Sequence, residues 1–144
     1  MADAAIDLVN RYYRHFNAGE LDVYPDLFTA DATLEAPGAV TGTGPAAMQA
    51  FDGVWREAST DFQVTALVQV ARDGSVVSEN LAEGTHTGTL VTPAGSFPAT
   101  GNAIGGKYVG VFEIREGRIA AQRIYFDRAG IMEQLGLIPV PAAR

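Results

Sequence analysis

Two residues stand out as candidates for chemistry. Asp127 ends the apolar run Ile124-Tyr125-Phe126, directly before a helical segment. A carboxylate there has two readings. It caps the helix that follows, or it sits at the rim of an apolar cavity. In the second case desolvation raises its pKa, and it can move protons near neutral pH. His86, one of only two histidines, lies in a strand-like run flanked by threonines. Alternation puts Ser78, Asn80, Ala82, Gly84 and His86 on one face. Small residues at Ala82 and Gly84 leave room for a ligand beside the imidazole. The bland alternative is a structural histidine bonded to a carbonyl or a threonine. His15 sits beside Arg14 on a solvated helix face.

Aromatic residues supply the expected lining. Tyr108, Gly110, Phe112 and Ile114 share one face, and Gln122, Ile124 and Phe126 share another. With Tyr12, Phe51 and Trp55 they suit a flat, polycyclic or otherwise apolar substrate, although each alone fits ordinary core packing. If the last strand stays regular, Asp127 faces outward with Tyr125 and Arg123. A bulge or the turn into the helix re-aims it. Glu79, Glu83 and Glu113 have the outward parity.

Other chemistries find little support. The chain has no cysteine, which removes disulfides and thiol catalysis. Two separated histidines and scattered carboxylates offer no metal-ligand spacing, so no metal is expected. There is no phosphate loop and no nucleophile elbow. A net charge of −7 argues against nucleic acid and anionic membrane surfaces as partners. No apolar run is long enough to span a bilayer, and the first residues lack a signal-peptide pattern. A soluble cytoplasmic protein is expected.

The elements that must position these residues follow from periodicity. With 144 residues, 47% of them hydrophobic, the chain is expected to form a single domain over residues 1–144. An amphipathic helix is expected over 4–17, with Asp3 as its N-cap and Asn17-Ala18-Gly19 as its stop. A short helix near 21–28 begins late because of Pro25. A strand covers 32–37, 41–45 is a loop, and a third helix spans 45–58 with Met48, Phe51 and Trp55 on one face. Strands are expected at 62–71, 76–90, 104–115 and 118–126, with a loop at 92–101 and a last helix over 129–135. Gly84 and Gly88 inside a strand suggest bulges in a curved sheet. The class is α+β: about three N-terminal helices packed on a strongly curved antiparallel or mixed sheet that encloses an apolar pocket.

This order resembles the NTF2-like (ketosteroid isomerase-like) cone. Arg11-Tyr12-Tyr13 through Asn17-Ala18-Gly19-Glu20, and Leu27-Phe28-Thr29-Ala30-Asp31-Ala32-Thr33, resemble the family's opening. Glu83-Gly84-Thr85-His86-Thr87-Gly88, Pro98-Ala99-Thr100-Gly101 and Glu116-Gly117-Arg118-Ile119 through Gln134-Leu135-Gly136-Leu137 resemble the SnoaL-like polyketide cyclase branch. The resemblance implies aldol cyclisation, isomerisation or dehydration of a polyketide-like carbonyl compound, with no cofactor and with Asp127 as acid/base. It also implies a homodimer formed through the convex sheet face. Departures are equally specific. The isomerase base position holds Ala36 and its acid position Gly110, while its tyrosine is matched by Tyr12. The cyclase histidine position holds Glu113. An epoxide-opening set would draw on Arg123 and Asp127 but shows no second Asp. A non-catalytic small-molecule-binding domain of the same fold is the remaining alternative.

Overall fold

The computed structural model describes residues 2–140. Helix α1 (Ala2–Asn17) buries Ala5, Leu8, Val9, Tyr12, Tyr13 and Phe16. Helix α1 already includes Asp3, which lies in its first turn rather than capping it. Gly19, at φ 75°, terminates the helix, and its N–H bonds the Phe16 carbonyl. The Asn17 amide then clips α1 to the sheet by bonding both the N–H and the carbonyl of Val64. A 3-10 turn (Leu21–Val23) leads into the single turn α2 (Tyr24–Leu27), whose start accommodates Pro25.

Strand β1 (Phe28–Ala36) begins earlier than expected. The expected loop at 41–45 is instead largely strand β2 (Val40–Thr43), paired with β1 as a hairpin. Helix α3 (Pro45–Ala58) follows, with Pro45 in its first turn. Then come β3 (Gln63–Arg72), β4 (Ser75–Thr85), β5 (Leu90–Thr92), β6 (Gly95–Phe97), β7 (Ala103–Arg115), β8 (Arg118–Phe126) and α4 (Arg128–Gln134). The main sheet has the order β2-β1-β8-β7-β4-β3, and β5 and β6 form a separate hairpin. Only β1 and β8 pair in parallel among the described strands. This is an α+β cone of the NTF2-like type.

Three register shifts bend the sheet, between Phe28 and Thr33, Ala66 and Val68, and Glu113 and Ile114. Gly84 does not sit at one of them. The β4–β7 register runs unbroken through it. A Cβ at Gly84 would collide with Ser59 and Phe62, so the glycine lets the end of α3 approach the strand. Strand β4 also stops sooner than expected. Thr87 and Gly88 give their N–H groups to the Ala58 carbonyl at the end of α3, which pulls the chain off the ladder.

Gly105 answers a second close approach. Its φ is 132°, and a Cβ there would strike the Ala82 carbonyl. Its N–H and carbonyl are held by the two ends of the Gln134 amide, at 3.0 and 2.8 Å, which docks α4 on β7. Gly105→Ala is expected to cost about 1–3 kcal/mol through strain and overpacking. Urea unfolding monitored by circular dichroism measures this, and an unchanged midpoint would contradict it.

Candidate active site

The cone encloses a cavity of about 370 Å³ between α1, α3, α4 and the inner face of the sheet. Phe51 and Trp55 enter from α3, Phe16 from α1, and Phe62, Tyr108 and Phe126 from the sheet side. The Trp55 ring stacks on Phe62 at 5.7 Å and meets Phe126 edge-on at 5.9 Å. Five of the six sequence-proposed binding residues therefore line one space: Tyr12, Phe51, Trp55, Tyr108 and Phe126. Phe112 does not. It is fully buried behind the wall, because Tyr12 and Tyr13 pack over it with ring centroids at 5.8 and 6.0 Å.

One carboxylate lies in the wall among these rings. Asp52 is on α3, only 5% exposed. Its oxygen Oδ2 accepts hydrogen bonds from the Tyr12 hydroxyl at 2.7 Å and from the Tyr24 hydroxyl at 2.6 Å. Gln122 Nε2 donates in turn to the Tyr12 oxygen at 3.0 Å. Both tyrosine protons are thus committed to Oδ2. Among the described residues Oδ1 takes no hydrogen bond. Burial raises the Asp52 pKa from 3.8 to about 6, against the opposing pull of the Tyr24 and Tyr12 hydroxyls. No basic side chain contributes to that balance. A carboxylate in this state titrates where a general base is most effective. Burial likewise holds the Tyr12 and Tyr24 hydroxyls protonated, with Asp52 reinforcing the effect.

Asp52 is not among the residues expected from the sequence, yet it carries a signal there. Met48, Asp52 and Trp55 stand at i, i+4 and i+7, so an acid interrupts the apolar stripe of α3. A charge at such a position is rarely buried unless it is paired or functional.

Asp127 is the helix cap of its first reading, and it lies at the cavity rim without being buried there. Its Oδ1 accepts the Gly130 N–H at 2.9 Å, capping α4. The residue is exposed and also forms part of the cavity rim. Asp127→Ala is expected to lower stability by about 1 kcal/mol, whereas Asp127→Ser retains the cap. Thermal melts of the two variants separate the capping role from any chemical one.

His86 is fully buried but is not part of the cavity wall. The turn-off at Thr87 carries it past the end of β4. The Thr100 backbone N–H donates to its Nδ1 at 3.2 Å, and Thr100 Oγ1 lies 3.0 Å from the same atom. A backbone amide only donates, so the ring proton must be on Nε2. Nε2 has no partner among the described residues. His86 therefore secures the loop at Thr100 and does not meet Asp127 in one site. Arg123 is also turned away, bonding Glu113 at 2.8 Å on the outer face. Among the described residues no cluster of three or more His, Cys, Asp or Glu could hold a metal ion.

The curved sheet and the helices packed on it form a ketosteroid isomerase-like fold. The chain belongs to the SnoaL-like polyketide cyclase family, whose profile matches residues 6–135. Among solved structures, a protein from Jannaschia sp. CCS1 described as a SnoaL-like polyketide cyclase is 18% identical, with a TM-score of 0.83 over 96% of this chain and 95% of its own. A protein from Xanthomonas campestris pv. campestris described as a polyketide cyclase is 23% identical, with a TM-score of 0.80 over 93% and 98%. An LEH-like epoxide hydrolase from M. tuberculosis is 19% identical, with a TM-score of 0.70 over 93% and 90%. No curated protein matches the chain.

Proposed function

We propose that this protein is a cofactor-independent acid/base enzyme acting on a hydrophobic, polycyclic or polyketide-like carbonyl compound. The reaction is an aldol cyclisation, isomerisation or dehydration. The observation that carries this reading is the placement of Asp52, a buried carboxylate with one uncommitted oxygen in an aromatic-lined cavity. Asp52 Oδ1 removes a proton from the carbon next to the carbonyl and becomes a neutral acid. The electron pair moves onto the carbonyl oxygen as an enolate. The enolate carbon then attacks a second carbonyl or is reprotonated. Tyr12 and Tyr24 hold the carboxylate in place through Oδ2. Asp127, at the rim, is the second carboxylate within reach of the cavity and exchanges protons at the substrate's outer end.

Family membership supports this class of chemistry. The epoxide-opening alternative draws less support, because Arg123 is bound to Glu113 on the outer face. The protein is further proposed to act as a cytoplasmic homodimer joined through the outer sheet face, where Val68, Val70, Val77 and Tyr125 are exposed.

The test is incubation of the purified protein with 2-acetylnaphthalene in deuterated buffer, followed by mass spectrometry. Catalysed deuterium uptake into the methyl group is expected. Binding without uptake, for this ketone and for a panel of larger polycyclic ketones, would instead indicate a non-catalytic binding domain.

A further inference from the structure

Gln122 has the same parity on β8 as Ile124 and Phe126, which line the cavity. Its cross-strand neighbours are Leu34 on β1 and Phe112 on β7. All three are buried, and both neighbours are apolar. Leucine or methionine would fill such a position without burying a polar group. A buried amide is costly unless it is bonded. The bond that answers for this one runs to the Tyr12 oxygen at 3.0 Å.

The direction of that bond follows from its far end. Oδ2 of ionised Asp52 can only accept, so the Tyr12 proton lies on the 2.7 Å contact between them. Tyr12 has one hydroxyl proton, and its oxygen must therefore receive from Gln122. This fixes the amide with Nε2 toward Tyr12. The three groups form a one-way chain, from Gln122 through Tyr12 to Asp52. A hydroxyl that accepts a hydrogen bond becomes a stronger donor. The Gln122 bond acts on Tyr12 in this sense, opposing the rise in its pKa.

Burial works against the Asp52 charge, and the influences that oppose burial are the Tyr24 and Tyr12 hydroxyls, neither of them charged. The other titratable groups that feel the carboxylate are Tyr13 on α1 and Tyr108 on β7. Gln122 thus reaches Asp52 from behind Tyr12, outside the cavity wall.

We propose that Gln122 is a positioning residue for the candidate base. It commits the Tyr12 proton to Oδ2, which holds the charge of Asp52 in the wall and leaves Oδ1 as the basic oxygen. Its consequence for turnover rests on the acid/base reading of Asp52, whereas the chain itself is testable without turnover.

Nuclear magnetic resonance of protein labelled with carboxyl-13C aspartate reads the ionisation of Asp52 without substrate, its signal being the one lost in Asp52→Asn. Gln122→Met keeps the length of the side chain and removes the donor. The Asp52 midpoint in this variant is expected to lie above that of the wild type by about one pH unit, the effect of one net hydrogen bond. The pH midpoint of deuterium uptake into 2-acetylnaphthalene should rise with it. A residue that only filled space would lower the rate at every pH and leave both midpoints in place. In a Tyr12→Phe background Gln122→Met should add no further shift, because the chain is already cut. The wild type supplies a check that needs no folded Gln122 variant. The Gln122 side-chain amide signal, located by its Overhauser contact with the Tyr12 ring, should titrate with the Asp52 midpoint. Equal Asp52 midpoints in the wild type and Gln122→Met, an undiminished shift in the Tyr12→Phe background, or an amide signal that does not titrate overturns the assignment. An Asp52 midpoint that moves while uptake is absent or keeps its pH profile overturns Asp52 as the base instead, and leaves the Gln122 chain standing.

Discussion

Asp52→Asn is expected to lower catalysed deuterium uptake by about 10²–10⁴-fold, the usual contribution of a general base. The reason is specific to the geometry. Asn keeps a carbonyl oxygen that can accept from both Tyr12 and Tyr24, so the supporting bonds at 2.7 and 2.6 Å have an equivalent partner. What disappears is the basic oxygen that faces the substrate. In the wild type the rate should climb as pH rises through about 6, where Asp52 ionises, and then level off. The rate–pH profile of the wild type, set beside the residual rate of Asp52→Asn, checks both statements. A wild-type rate that is flat between pH 5 and 7, or a variant within a factor of two of the wild type, would remove Asp52 from the reaction.

The same substitution is expected to stabilise the protein at neutral pH. The Asp52 pKa is raised in the folded state, from 3.8 to about 6. The folded chain therefore binds more protons than the unfolded chain across that interval, and stability falls as pH rises through it. The favourable contribution is complete below pH 3.8 and lost above about 6. At about 1.4 kcal/mol for each tenfold change in proton affinity, the loss amounts to about 3 kcal/mol. Asp52→Asn carries no ionisable group, so this slope should vanish. The variant should be more stable than the wild type by up to about 3 kcal/mol above pH 6 and close to it near pH 4. Denaturant unfolding of both proteins at pH 4 and pH 7 measures the difference. Equal stabilities at pH 7 would mean that the carboxylate is not held in a desolvated place. Together the two expected results describe a trade of stability for function at one residue.

The readable and unreadable parts of this protein divide along physical lines. Strand β8 was predictable to the residue, because Glu116-Gly117 is a turn signal and Phe126 is followed by a capping Asp. The aromatic faces of β7 and β8 followed from alternation alone. Strand β4 ends sooner than its pattern predicts, because Gly84 and Gly88 mark an irregularity in the run up to Leu90 without revealing its tertiary cause. It ends where the Ala58 carbonyl draws off Thr87 and Gly88, and that carbonyl belongs to another element. His86 failed to reach the cavity for the same reason, while Phe112 was masked by rings from α1 that no strand pattern reveals. Asp52 was visible as an acid on an apolar stripe. Its importance depended on Tyr24, 28 positions away, and on Tyr12, 40 positions away, reaching the same oxygen. Local periodicity places side chains on faces; it does not say which of them converge.

The sequence contains a single tryptophan, and the fold puts it in the cavity wall. Trp55 occupies the helical turn after Asp52, in ring contact with Phe51, Phe62 and Phe126. With excitation selective for tryptophan, the emission thus originates beside the candidate base. Occupancy and titration of this one compartment can be followed optically in the unlabelled protein, without any probe attached to it.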